Sequence, residues 1–465
     1  MNEKVAKALC YVDEKYVKEA ASRKKKKYRF VAAIAAVLAL VLLLNIPGIP
    51  LAISAKAVSI ASESRKMEQP DNHTDKYDIW LEENSLRRDI VKIASKPIGD
   101  FSAACSKEVL KGVDTKNRVW SPVNAYIALA ATAELAGGDT RRQIIDFLGA
   151  ADLNALRERI SAVWEQLYQN NGKEISVLAN SLWLDTEINY HQEAMDNLAY
   201  HYYASVYQGD LGSDRTNRDI ANWLQNQTGG LMSDQTGEVS LSPDSMLALI
   251  STIYFKSQWR DKFNSKDNSQ APFHTRDGDI TCTFMNKKQS GMMYYWSEDY
   301  GAVQMNLANG SSMWFILPDE DKTVDDLLFS GDYMAMITGS DAFPEEHKKH
   351  VKVNLSVPKF DIASTVDLEP ALKKLGLTEI FEPLENDFSP SIDSEIPVYL
   401  DSINQNTRVT IDEDGVTAAS YIILNFGPGA AAMPDEIIDF ILDRPFLFAI
   451  ENQSIPLFIG AVNNP

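Results

Sequence analysis

Asp412-Glu413-Asp414-Gly415, then Val416-Thr-Ala-Ala-Ser420-Tyr-Ile-Ile-Leu-Asn-Phe-Gly427-Pro-Gly429-Ala-Ala-Ala-Met433, is the stretch whose reading decides this chain. An acidic step ending in glycine precedes eighteen residues without a charge. The first half of the run is small and β-branched, so it can become a strand. The second half, Gly427-Pro428-Gly429 and three alanines, is flexible and easily cut. A segment that can be cleaved like a loop and pair like a strand suggests a protease bait. Taken alone, the run is better read as a β-hairpin turning at Gly427-Pro428-Gly429. The rest of the chain has to decide between the two.

Outward from that stretch, the body is globular and acidic. The chain has 465 residues, 45% of them hydrophobic, enough for a large core. Its net charge of −20 is unevenly spread. Residues 1–29 hold ten Lys/Arg and four Asp/Glu, a net of +6, which leaves −26 on the remainder. Such a body argues against a nucleic-acid partner. Of three cysteines, Cys10 precedes the apolar segment and Cys105 and Cys282 follow it. The latter two could pair in an oxidising compartment, but their spacing favours free, buried thiols.

The N-terminus bears on location. Arg23-Lys24-Lys25-Lys26-Lys27-Tyr28-Arg29 abuts Phe30 to Leu44, which holds no polar residue, and the apolar character continues to Ile53. About twenty such residues suffice to span a bilayer. The positive flank should stay cytoplasmic, which exports the acidic body. We therefore expect a basic cytoplasmic segment at 1–29, a single-pass anchor at 30–53, a polar linker at 54–96 with a helix near Asp89–Ala94, and one domain at 97–465. The polybasic, single-span N-terminus suggests a bacterial surface protein. The rival reading is a signal segment cleaved after Ala55-Lys56-Ala57, giving a secreted protein.

From Pro97 the pattern is that of packed elements. Ser121-Pro122 reads as a capping hydroxyl and first-turn proline, opening an almost wholly apolar helix over Ala125 to Ala136. Thr140-x-x-Gln143 reads as a capping box and Gly149 as the stop of the next helix. Ile220, Trp223 and Leu224 lie at helical spacing before Thr228-Gly229-Gly230. Leu247 to Phe255 reads as a central strand buried on both faces. Val351, Val353, Leu355 and Val357 alternate with polar residues, as a half-buried strand does. Phe446 to Ile450 and Ile455 to Val462 are two further buried runs. Helices first, mixed elements next and strands last make the class α+β.

Catalytic chemistry is missing from the sequence. It has no nucleophile elbow, phosphate loop, dinucleotide fingerprint or His-Glu-x-x-His. His347 and His350 sit in a lysine-rich stretch that reads as a solvated face. We expect no enzyme activity, no cofactor and no metal.

The motifs now on the page resemble those of the serpins, from about Pro97 to Pro465. Asn117-Arg-Val-Trp-Ser121-Pro122 is similar to that family's helix entry. Leu178-Ala-Asn180-Ser-Leu-Trp183 resembles one of its strands, and Ile220-Ala-Asn-Trp223-Leu with Thr228-Gly-Gly-Leu-Met one of its helices. Ile253-Tyr-Phe-Lys256-Ser-Gln-Trp259-Arg-Asp-Lys-Phe263 resembles its Tyr-Phe-Lys signature. Val357-Pro-Lys359-Phe360 and the closing Pro456-Leu-Phe458-Ile-Gly460-Ala-Val-Asn-Asn-Pro465 complete the set. Each is weak alone, but their order over some 370 residues is not a chance arrangement.

The resemblance implies helices packed around three β-sheets, with an exposed reactive-centre loop near the C-terminus. It implies a monomeric suicide inhibitor of serine proteases, whose partner is the target protease in a covalent acyl-enzyme. The cut loop then inserts into the main sheet as a new strand. Glu413, Gly415, Val416, Thr417, Ala418, Ala419 and Ser420 correspond to the hinge. Val416 stands where the family usually has threonine, and Tyr421, Ile422 and Ile423 are bulkier than its norm. The scissile bond falls within Gly429, Ala430, Ala431, Ala432 and Met433, and small residues there suit an elastase-like or subtilisin-like target. A chymotrypsin-like cut after Phe426 is the second choice. Ser121, Asn124, Ser251 and Gln405 correspond to the sheet-opening, or shutter, region. Asn124 and Ser251 have exchanged the family's residue types, and we expect the two still to hydrogen-bond across the opening. Gln405 replaces a histidine. The alternative is a non-inhibitory serpin, a binding module or substrate whose loop is cut without insertion. A domain that serves only as a surface spacer is the third reading.

Overall fold

Apolar residues on all faces leave Pro122–Leu135 a helix with no continuous polar face, and it is buried on every side. Helices Asp75–Leu110, Gly138–Phe147, Leu153–Leu167 and Gln192–His201 surround it, and strands Leu247–Gln258 and Ile455–Val462 close the remaining faces. The computed structural model describes residues 58–61, 75–112, 115–171, 173–230, 241–242, 245–382, 386–393, 398–400, 403–416 and 436–465. The expected anchor at 30–53 lies outside them.

Among the described residues the strands form sheets of eight, nine and two strands, an α+β fold with three sheets. The main sheet runs in the order Val58–Ala61, Ala204–Gly209, Ile175–Asp185, Leu247–Gln258, Gly415–Val416, Asn404–Ile411, Phe360–Asp367. The largest sheet begins at Ile437–Ile441, passes through Lys348–Pro358 and Gly278–Trp296, and ends on the antiparallel pair Phe446–Asn452 and Ile455–Val462 with Arg118–Trp120. Side chains as large as Trp120, Trp259, Phe315 and Phe446 are fully buried in one continuous core. Cys105 and Cys282 are free and buried.

Several local expectations hold. Lys348–Pro358 buries Val351, Val353, Leu355 and Val357 on one face. Ile220, Trp223 and Leu224 are the buried side of helix Asp214–Gln227, and Gly149 follows the end of helix Gly138–Phe147 at φ +60°. Others do not. The polar linker is structured well before residue 97: Val58–Ala61 pairs with Ala204–Gly209, and helix Asp75–Leu110 runs straight through Pro97. Val91 and Ala94 are core residues, because the helix's apolar stripe continues upstream of the proline.

Thr140 and Gln143 do not cap their own helix. Their helix starts at Gly138; the Thr140 hydroxyl donates to the Glu379 carboxylate, and Gln143 Oε1 accepts from the backbone N–H groups of Thr378 and Glu379. Leu247–Gln258 is not buried throughout, for Leu249, Ile250, Ser251, Ile253 and Tyr254 keep partial exposure. The reason lies in the sheet. Among the described residues, this strand joins Asn404–Ile411 only through Gly415 and Val416, and below that pair no ladder links the two.

Candidate functional site: the hinge and the sheet opening

Strand Asn404–Ile411 ends in a tight acidic turn. The Asp412 carboxylate accepts from the backbone N–H groups of Asp414 and Gly415, at 2.9 and 3.2 Å. This Asx-type turn reverses the chain. Gly415 and Val416 then enter the main sheet, pairing antiparallel with Gln258 and Ser257 on one side and, at Val416, with Ile411 on the other. Val416 is 1% exposed.

The turn is gripped from outside by the end of strand Leu247–Gln258. The Trp259 backbone N–H donates to Asp414 O (3.0 Å), its indole Nε1 to Asp412 O (2.8 Å), and the Phe263 N–H to Glu413 O (3.2 Å). Two ion pairs reinforce the grip: Lys359 Nζ to Glu413 Oε1 at 2.6 Å and Lys262 Nζ to Asp414 Oδ1 at 2.7 Å. Asn268 also donates to Glu413. Burial pushes the Glu413 carboxyl upward, but the bonds from Lys359 and Asn268 outweigh it and hold the group below the usual glutamate value.

Gly415 has a steric reason to be glycine. Its φ is +155°, and a Cβ there would meet Ser257 O at 2.3 Å and Gln258 Cα at 2.6 Å. Gly415→Ala is expected to expel the hinge pair from the sheet at about 1–3 kcal/mol, read as a lower guanidinium midpoint of the uncut protein. Gly310→Ala serves as the control, since Gly310 also has positive φ but open space around it. Equal effects at the two positions would remove the steric argument.

Of the sequence-predicted hinge, Glu413, Gly415 and Val416 come together here. Thr417, Ala418, Ala419 and Ser420 lie outside the described residues, as does the cleavage region Gly429 to Met433. The partners Trp259, Lys262, Asn268 and Lys359 went unrecognised from sequence. Trp259, Lys262 and Lys359 stand inside quoted motifs, yet nothing local says that they meet an acidic turn far along the chain.

The four shutter residues gather at the N-terminal end of helix Pro122–Leu135, though not as expected. Gln405 clasps the backbone of Ser121, its Oε1 accepting from Ser121 N (2.6 Å) and its Nε2 donating to Ser121 O (2.9 Å). It thereby supplies a rigid two-point contact without a titrating ring. Ser121 stands at the N-cap, but its hydroxyl bonds nothing, which corrects the capping role. The expected Asn124–Ser251 contact is made only to the Asn124 backbone and is long. Ser251 Oγ donates to Asn180 Oδ1 at 2.6 Å and reaches only the backbone carbonyl of Asn124, at 3.5 Å. Asn180 sits directly opposite Ser251 in the sheet and so wins the hydroxyl. Both polar atoms of the Asn124 side chain are buried without a partner.

Among the described residues, the two central strands of the main sheet are joined only by Gly415 and Val416, at the end of a clasped acidic turn. The model of the family Serpin (serine protease inhibitor) matches residues 97–465, and the chain belongs to that family. Among its relatives, Serpin-ZX of Arabidopsis thaliana is 27% identical over 380 residues, covering 77% of this chain and 95% of that protein. Plasminogen activator inhibitor 1 of Sus scrofa is 26% identical over 390 residues, covering 80% and 93%. Among solved structures, the thermophilic serpin tengpin in its native state superposes with a TM-score of 0.72 at 24% identity, over 88% of this chain and all of that one. Arabidopsis AtSerpin1 in its native stressed conformation gives 0.68 at 23% identity, over 82% and 98%.

Proposed function

We propose that this protein is an irreversible suicide inhibitor of serine proteases, with an elastase-like or subtilisin-like target. One observation carries the reading. Among the described residues, Gly415 and Val416 occupy the top of the slot between Leu247–Gln258 and Asn404–Ile411, and no ladder joins those two strands beneath them. The loop continues from that point with small, uncharged residues.

In the proposed reaction the protease's serine Oγ attacks the carbonyl carbon of a bond between Gly429 and Met433. The C–N bond breaks, the serine proton passes to the leaving amine, and an ester links protease to loop. The freed loop extends the strand begun at Gly415, drawing the esterified protease with it. New ladder hydrogen bonds and buried side chains drive the step against the conformational entropy of the loop. The intact state persists because a barrier, rather than an equilibrium, protects it.

The test mixes the domain from Ser54 onward with an elastase-type and a subtilisin-type protease and runs denaturing gels. A band at the summed mass is expected, and the mass of the released C-terminal peptide fixes the bond. Cleavage without such a band across several protease classes would leave the non-inhibitory binding module as the reading.

We further propose that Phe30–Ile53 holds a monomeric inhibitor on the outer face of a cell membrane. The basic flank and acidic body support that orientation. Membrane fractionation with externally added protease tests it, and a soluble product starting near Val58 would point instead to secretion.

A further inference from the structure

Two Asn-Gly pairs stand in the chain, Asn171-Gly172 and Asn309-Gly310. The second lies in the turn between strands Tyr300–Asn306 and Ser312–Pro318. Asparagine is chemically labile, and it is lost by closing a ring onto the backbone nitrogen of the next residue. A side chain on that residue obstructs the closure. Gly310 has none, and a Cβ built there would meet nothing within 4 Å. Its N–H is held loosely, donating to Leu307 O at 3.3 Å, beyond the usual range.

The side-chain amide of Asn309 favours the same step. Its Oδ1 accepts from the Ser311 N–H at 3.0 Å, which polarises the Cγ–Oδ1 bond and stabilises charge developing on the oxygen. Its Nδ2 is buried and, among the described residues, has no hydrogen-bond partner. No bond there retains the nitrogen that has to leave.

The turn also supports the hinge. Ala308 N donates to Gln258 O at 2.8 Å, Asn309 N donates to Ser257 Oγ at 3.3 Å, and Leu307 bridges Trp259. Ser257 and Gln258 are the residues that pair with Val416 and Gly415. The Ser257 hydroxyl in turn donates to the Glu174 carboxylate.

We infer that Asn309 is a self-modifying site, whose deamidation through Gly310 loosens the turn that backs the hinge. The Gly310 nitrogen gives its proton to water and attacks Asn309 Cγ. The new C–N bond closes a cyclic imide, the Cγ–Nδ2 bond breaks, and the nitrogen leaves as ammonia after taking a proton from water. Water then opens the imide at one carbonyl or the other. One opening leaves aspartate. The other leaves isoaspartate, in which the main chain runs through the side-chain carbon. Aspartate puts a carboxylate oxygen where the unpartnered Nδ2 was buried, and a buried charge without a partner is costly. Isoaspartate lengthens the main chain of a turn whose two ends the ladder holds in register. This chemistry proceeds whether or not the chain inhibits proteases.

The test incubates the full-length protein at physiological temperature, at neutral and at mildly alkaline pH, and maps its peptides by mass. The peptide holding Asn309 is expected to gain the mass of an amide-to-acid exchange, with isoaspartate the larger product and conversion faster at the higher pH. Asn171 serves as a clock within the same chain. If Asn171 converts while Asn309 stays an amide, the turn shields the site and the inference is wrong. In an Asn171→Gln background the acid product at Asn309 is collected by ion exchange. It is expected to show a lower guanidinium midpoint than the unaged protein, and faster amide hydrogen exchange across Asp412–Val416. Asn309→Asp is expected to show both from the outset, and Asn309→Gln, whose longer side chain closes the ring slowly, to keep its midpoint on ageing. A converted fraction with unchanged midpoint and unchanged exchange would separate the turn from the hinge and overturn its proposed effect. The aged wild-type site decides this even if Asn309→Asp does not fold.

Discussion

Val416→Arg is expected to turn the protein from a trap into a substrate. Val416 is 1% exposed and sits between Ser257 and Ile411. A guanidinium there has no carboxylate partner among the groups it pairs with. Burying it unpaired costs about 3 kcal/mol or more, so the hinge pair leaves the sheet and the strand cannot start. Insertion competes with hydrolysis of the acyl-enzyme, and each 1.4 kcal/mol added to its barrier slows it about tenfold. Covalent complex should fall roughly a hundredfold on that arithmetic, while cleavage of the loop continues. Val416→Thr, close in shape, should keep most of the complex. Undiminished complex with the arginine variant would mean that Gly415–Val416 is not where insertion begins.

The second large effect is expected from Glu413→Lys. It replaces the 2.6 Å contact between Glu413 and Lys359 with two like charges, and it removes the acceptor for Asn268. Glu413 is 18% exposed and Lys359 36%, so the loss should be about 2 kcal/mol rather than the 3–5 of a fully buried pair. The acidic turn then loosens, and the strands on either side of the slot present unpaired edges. Warming should produce self-associated species at temperatures where the wild type stays monomeric, detectable by size-exclusion chromatography.

Acid should do the same reversibly to the wild type. The folded Glu413 value is depressed, so its contribution is present above the ordinary value of 4.5 and is lost as pH falls below it. A wild type and a Glu413→Gln variant that show the same pH dependence would remove Glu413 from this role.

Element types could be read in the sequence wherever a period survives the fold. The alanine-leucine run from Ala125, the alternation from Val351 to Val357 and the two closing apolar runs each became the expected element. Hydrogen-bond partners could not be read. Ser121, Thr140 and Gln143 all carry capping residue types, yet none caps its helix, because partners from distant segments or nothing at all lie within reach. The Asn124–Ser251 exchange looked compensating in sequence. In the sheet, Asn180 stands nearer to Ser251 and takes its hydroxyl. A residue type fixes what a side chain can donate or accept, whereas its neighbour is set by which strands lie side by side.

The sequence by itself determined that a glycine would follow an acidic step and that the run after it would carry no charge. Those are properties of residue types and they hold in any conformation. Only the tertiary structure decided that Gly415 and Val416 lie inside the main sheet, that Lys359, Asn268, Lys262 and Trp259 hold the turn there, and that the Asn124 side chain is buried without a partner. Each depends on segments far apart in sequence meeting across one slot, and such meetings follow from packing the whole core, which no local pattern records.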